Sequence, residues 1–362
     1  MKPPCIDEKG IALVMILWVL ALLSVIVGEF CYAMRTEVNI AHNFSEQSQA
    51  YYLAVAGLNR AVGEIIRNQV IREKAKLFKN ETDKGKIEDE IGADGDEETT
   101  RWRINVDIPS VVFGAGRFRV KIGNEAGKIN INQANAKSLR MMADAFDLET
   151  QQKDIIVDSI LDWRDKDDLH GLNGAENEYY NSLPDPYDCK NGNFDSVEEL
   201  LLVRGVTPEV FYGGLKDMVT VYLDNRTISK NTADILMVRR GDASSNKISI
   251  NAASKMMLRA LPSMTDELVE EIIIYRKEKD FKSAGELSLV VGADVYTAIS
   301  PYISFEENAF YTISSMGLIP GSRIRMGVDA MVEVNPTLKK GWRMVQWRDG
   351  FKDQFEMSSN LE

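Results

Sequence analysis

An uncharged apolar run stands almost at the start of this chain, directly behind a short polar segment. Residues 1–10 read Met-Lys-Pro-Pro-Cys-Ile-Asp-Glu-Lys-Gly, and the stretch from Ile11 to Gly28 after them contains neither a charge nor a proline. As a helix rising 1.5 Å per residue it would be ~27 Å long, just enough to cross the hydrocarbon core of a bilayer. Leu17, Trp18, Leu20 and Leu22 lie in its centre. A secretory signal puts its charges first and its cleavage point after the apolar core. Here the candidate processing point, Gly10 followed by Ile11, comes before the core, so the apolar helix stays with the mature chain. The two lysines of the leader, Lys2 and Lys9, favour a cytoplasmic start and send everything beyond the helix across the membrane.

Composition narrows the function classes. A net charge of −12 over 362 residues argues against broad nucleic-acid binding, which needs clustered Lys and Arg. Cys5 would leave with the leader, Cys31 sits at the membrane edge, and Cys189 has no evident partner, so no disulfide scaffold is implied. Two histidines, His42 and His170, provide neither a His-based metal centre nor the base of a nucleophilic triad. There is no P-loop and no Rossmann glycine pattern. The chain reads as a non-enzyme.

Past the membrane, residues 36–78 lack proline and keep apolar positions at Leu53, Ala56, Leu58, Ala61, Val62, Ile65 and Ile66. That spacing predicts a continuing helix with one face packed on a globular body. Residues 79–100 read as a solvated acidic loop. Strand-like alternation is expected over 102–108 and 117–122, and again over 311–316, 322–334 and 342–348. The early strands have no partners until the late ones. The topology expected is therefore α+β: a long N-terminal helix on an antiparallel sheet, with residues 123–305 inserted.

The inserted region is duplicated. Lys128-Ile129-Asn130-Ile131-Asn132 is matched by Lys247-Ile248-Ser249-Ile250-Asn251, and Leu139-Arg140 by Leu258-Arg259. Phe194-Asp195-Ser196 through Leu200 is matched by Phe281-Lys282-Ser283 through Leu287, with Gly205 and Gly292 in register. Helices are expected over 153–165 and 265–279, with Asn132 and Asn251 as helix caps. The copies differ at one place: Arg276 leads to Phe281 within five residues, whereas Arg164 is separated from Phe194 by thirty. The added segment carries Asp165, Asp167, Asp168, Glu176, Glu178, Asp185 and Asp188 among glycines and prolines. Converging carboxylates offer the hard oxygen ligands calcium selects, and a long insertion needs a source of order. Structural calcium held by Asp165, Asp167, Asp168 and Glu176 is expected, although the spacing is not that of an EF-hand.

A polar leader ending in Gly10 before an uninterrupted apolar helix resembles the type IV pilin and type II secretion pseudopilin family. The resemblance implies cleavage after Gly10 by a prepilin peptidase and methylation of the new N-terminus at Ile11. The fifth mature position, Met15, lacks the glutamate most members carry there. That departure, with the large helical insertion, is similar to one branch, the minor pseudopilin K (general secretion pathway protein K) family, and the match covers essentially the whole chain. The resemblance to this branch implies a leader at 1–10, a transmembrane and assembly helix at 11–34, a discontinuous pilin-like domain at 35–122 and 306–362, and the helical insertion at 123–305. It further implies a single-pass inner-membrane protein with a periplasmic body, placed at the tip of a pseudopilus that it initiates and caps for protein export across the outer membrane. Its implied partners are the other minor pseudopilins, the major pseudopilin, the prepilin peptidase and the inner-membrane assembly platform. A buried carboxylate is costly without a counter-charge, so a subunit with no neighbour on that side can dispense with it. The repeats also resemble helix-hairpin-helix modules, which leaves a membrane-anchored DNA receptor of a competence system as the alternative. Against that alternative, the turn Leu261-Pro262-Ser263-Met264-Thr265 lacks the phosphate-binding glycines and leads into the acidic run Asp266–Glu271.

Overall fold

The computed structural model describes residues 8–77, 102–222 and 247–350. Helix α1 (Glu8–Leu77) runs unbroken for 70 residues, a length of about 105 Å. No proline interrupts it, so the expected membrane helix and the helix of the body are one element. Its last third packs on a sheet through Ala50, Ala54, Leu58, Ala61, Val62 and Ile65, all buried. These positions recur every three or four residues and so line one side of the helix. The small residues let the backbones meet closely. A Cβ built on Gly317 would lie 1.9 Å from the carbonyl oxygen of Ala50, so this crossing excludes any side chain.

The sheet is antiparallel with order β1-β2-β7-β8-β9. Strands β1 (Val111–Phe113) and β2 (Gly116–Asn124) form a hairpin, and β2 pairs along its full length with β7 (Phe310–Leu318). β8 (Arg325–Val334) and β9 (Trp342–Asp349) complete it. The neighbours β2 and β7 are thus separated in sequence by the whole helical region. At the neck between them, Asn124 and Asn308 clasp each other: the Asn124 side-chain amide donates to the Asn308 carbonyl at 3.1 Å, and the Asn308 N–H donates back at 3.1 Å.

The expected strand at 102–108 does not form. Ile104, Val106 and Ile108 are buried in alternation, which produces the same pattern, but Asn105 adopts a left-handed φ of 55° and breaks the extended run. Asn105 instead ties this segment to both domains, donating its backbone N–H to Ile122 and its side chain to the Ala252 carbonyl at 2.7 Å. The late strand begins at Arg325 rather than at residue 322. The acidic loop at 79–100 lies outside the described residues.

Between the strands stand two helical units with matching plans. In the first, β3 (Ile129–Asn130) leads through α2 (Ala136–Ala143) and α3 (Thr150–Arg164) to β4 (Val219–Thr220), and β3 pairs parallel with β4. In the second, β5 (Ile248–Ser249) leads through helices at Lys255–Ala260, Asp266–Glu278, Ala284–Val291 and Ala293–Ile299 to β6 (Ile303–Ser304), again parallel to its opener. One hydrophobic cluster from Ile129 to Ile303 joins both units, while a second, drawn mainly from α1 and the sheet, lies beneath the sheet.

Asn132 and Asn251 are not the helix caps; Asn135 and Ser254 cap the helices that come after them. Each expected cap instead clamps the later block of its own repeat. Asn132 exchanges two hydrogen bonds with the backbone of Phe194, at 2.9 and 2.7 Å, and Asn251 does the same with Phe281 at 2.9 and 2.9 Å. Equivalent arginines complete each clamp. Arg164 donates to the carbonyls of Ile131 and Ala134, and Arg276 to those of Ile250 and Ala253. A buried carbonyl left without a donor is costly, so the repeated sequence blocks mark repeated backbone satisfaction.

Candidate functional site

Two regions of the chain are built for something beyond holding the fold. The first is the outer part of α1. Gly10 and Ile11 lie in its first turns. Met15, Leu17, Trp18, Leu20 and Leu22 are each more than half exposed, and so are the apolar residues on every other side of the helix. Exposure continues to Phe44, and burial begins only near Ala50. Among the described residues this is the one helix long and apolar enough to cross a membrane, with a mean hydropathy of 2.5 in its most apolar stretch. A helix apolar all round needs lipid or other helices for company. The body supplies neither over this length.

The second is the long connection after α3. Its backbone is held by carboxylate–amide bonds that short polar side chains make possible. Asp158 accepts from both the backbone and side-chain nitrogens of Asn173, at 3.0 and 3.1 Å. Asp162 accepts from the Gly171 N–H, and Asp168 accepts from the side chains of Asn177 and Asn191 at 2.8 and 2.9 Å. Beneath it, Trp163 meets Tyr180 edge to face at 5.2 Å and stacks near Phe194, an aromatic floor that fixes the end of α3.

Three carboxylates converge here. Ligand oxygens of Asp162, Asp165 and Glu176 all lie within 4.8 Å of one another. Asp162 and Glu176 are buried, while Asp165 is exposed. Both Glu176 oxygens are enclosed without a well-formed hydrogen bond. Burial pushes the Glu176 carboxyl up to about 7; Asp162, Asp165 and Asp168 push the same way, against an opposing pull from the Cys189 thiol. Burial also raises Asp162 and Asp165, each helped by a neighbouring aspartate. No ion pair joins any of the three to a lysine or arginine among the described residues. The two enclosed Glu176 oxygens, with Asp162 and Asp165 beside them and excess negative charge, form a donor set suited to a hard cation.

The structure therefore brings together two of the four residues expected as ligands, Asp165 and Glu176. Asp167 and Asp168 lie outside the group: Asp167 accepts from the Leu169 N–H at 3.0 Å, and Asp168 anchors the two asparagines. Asp162, on the last turn of α3, is the third member. Its place in the helical pattern hid it, since it reads as an ordinary polar residue between Leu161 and Trp163. Gly174 carries the missing signal, because a Cβ there would fall 1.8 Å from an Asp162 carboxylate oxygen. His170 contacts the Gly171 carbonyl and is not part of the group.

Comparison with known proteins finds similarity over part of the chain. Residues 116–224 match the family model described as type II secretion system (T2SS), protein K. Type II secretion system protein K of Pectobacterium carotovorum subsp. carotovorum is 24% identical over 234 residues, 62% of this chain and 66% of the relative. The protein of the same name from Aeromonas hydrophila is 26% identical over 216 residues, covering 58% and 62%. The chain thus spans just under two thirds of the length of these curated relatives. A chain in the crystal structure of the GspK-GspI-GspJ complex of the enterotoxigenic Escherichia coli type 2 secretion system aligns at 15% identity. The TM-score is 0.47, over 67% of this chain and 83% of that one.

Proposed function

We propose that the chain, which is similar to type II secretion system protein K over residues 116–224 and in its curated relatives, works as a minor pseudopilin at the tip of a periplasmic pseudopilus. Prepilin peptidase removes residues 1–10, and the new N-terminus at Ile11 is methylated. The single span then holds the protein in the inner membrane with its body in the periplasm. On assembly, the outer part of α1 leaves the bilayer and packs against the equivalent helices of sister subunits.

The observation that carries this reading is the division of α1 into two parts. One is buried on the sheet; the other, from Ala12 to Phe44, is apolar in its outer span and exposed on every side. Helices that leave lipid gain little from the hydrophobic effect, so close packing must hold them, and Ala12, Ala21 and Ser24 offer small surfaces for it. Met15 supports a place at the end of the fibre: it offers no carboxylate to the amino terminus of a subunit above. The helical insertion gives the cap its bulk and initiates the fibre by leaving only one growth face. The role is structural, and energy enters through the assembly platform.

Calcium fits the second site. Asp162, Asp165 and Glu176 would hold it, and bound calcium would neutralise three carboxylates that otherwise repel one another. The Asp158–Asn173 and Asp168–Asn177 bonds position the loop around them.

In-membrane cross-linking tests the assembly reading. A cysteine introduced at Ala21, in a Cys31→Ser background that leaves only the buried Cys189 in the body, should cross-link to small pilin-like subunits in cells carrying the whole secretion system. Cross-linking to nothing but lipid-embedded monomers would refute assembly through α1.

A further inference from the structure

The two faces of the sheet differ sharply in character. The face under α1 is apolar, with Phe118, Val120, Ile122, Ile313 and Val328 buried. The opposite face is cationic. Strand register aligns Lys121, Ser314, Asp329 and Arg348 in one row across four strands. Arg119 stands one row further from the neck, and Arg117 and Arg325 flank Leu318 in the next. Arg343 adjoins on β9 and is paired with Glu333 at 2.5 Å. Six cations therefore share this face with two acids, in a chain whose net charge is −12.

Arg117, Arg119, Lys121 and Arg325 are exposed and join no ion pair among the described residues. At the neck the face runs under the helical insertion into a cleft of about 330 Å³. Lys121, Asp329 and Arg348 form its floor, and Lys216 and Tyr222 belong to the opposite wall. One Asp329 oxygen is buried there without a partner. Gathering like charges costs self-repulsion, which a surface of opposite charge relieves.

We propose that the arginine rows of this face, outside the cleft, receive an acidic segment of another protein. The chain's own membrane is too far away. The sheet first meets α1 at Ala50, 23 residues past Val27, which places it about 34 Å beyond the apolar span at 1.5 Å per residue. Headgroup charge is screened over about 8 Å at physiological ionic strength. A long nucleic acid fits poorly, because the exposed Glu198 and Asp217 stand at the cleft and would repel its backbone. A short acidic segment can track the arginine rows without meeting them.

The test uses the full chain in detergent and a fluorescein-labelled peptide of twelve alternating glutamates and serines, with anisotropy as the readout. Binding is expected at roughly 50 mM salt and should fall steeply by about 300 mM. Arg117→Glu with Arg119→Glu should weaken it about 10-fold or more. A matched double change in the β8–β9 turn, Lys339→Glu with Lys340→Glu, should leave it within about twofold. No binding, or equal loss in both doubles, would overturn the proposal. So would tighter binding of a twelve-base-pair DNA duplex or of anionic vesicles than of the peptide.

Discussion

Replacing Glu176 by glutamine should stabilise the metal-free protein and abolish its response to calcium. In the folded chain this carboxyl is held near 7 rather than at its ordinary 4.5, chiefly by burial, with Asp162, Asp165 and Asp168 adding repulsion. The folded state therefore holds this proton more tightly than the unfolded chain. Stability is fully present below about 4.5 and is lost as the pH rises through about 7. A displacement of that size costs the ionised folded state roughly 3 kcal/mol at 1.36 kcal/mol per pH unit. A domain of this size shifts its melting temperature by about 2–4 °C per kcal/mol, so Glu176→Gln should raise Tm by about 6–12 °C at pH 8 in chelator and by little at pH 5. Asp162 and Asp165 are also raised, so wild type should lose more than Glu176 alone predicts. Added calcium should restore wild type at pH 8 and leave the variant unmoved. Differential scanning fluorimetry across pH 5–8, with chelator or calcium, reads all four curves. Parallel pH profiles, or a variant that melts lower than wild type at pH 8 in chelator, would refute the reasoning.

Other residues give further tests. Gly174→Ala puts a methyl 1.8 Å from an Asp162 oxygen, so calcium affinity by titration calorimetry should drop about 10- to 100-fold while the helical content is kept. Gly317→Ala forces a methyl against the Ala50 carbonyl and should cost about 1–3 kcal/mol in urea unfolding by separating α1 from the sheet. Asn251→Ala strips both hydrogen bonds from the Phe281 backbone and should cost about 2–3 kcal/mol, with Asn132→Ala giving a similar loss in the first repeat. If both asparagines proved dispensable, the clamp would not be what the repeated sequence blocks maintain.

Periodicity exposed the long helix and most of the sheet because those elements bury one face and leave the other wet. It misled at 102–108, where alternate burial occurs without a strand ladder and one left-handed asparagine turns the chain. The duplication was legible as matched blocks. The work of its asparagines was not, since capping and long-range backbone clamping favour the same side chain. At the acidic loop, composition pointed to the segment but not to its geometry. Asp165 and Glu176 meet because a helix end and a turn converge, and Asp162 joins them from a helix whose sequence looks ordinary. Asp167 and Asp168, closest in sequence to Asp165, spend their oxygens on the loop's own amides. Spacing along the chain records none of this.

As the retained assembly helix of a processed pseudopilin, the role proposed for it, α1 must begin at a cleaved N-terminus. Coexpression with a prepilin peptidase, then N-terminal sequencing and intact mass, tests it most directly. The expected product is a chain beginning at Ile11 with one added methyl group, and a Gly10→Val variant should not be cleaved. A full-length chain still beginning at Met1 in the presence of active peptidase would contradict the proposed role.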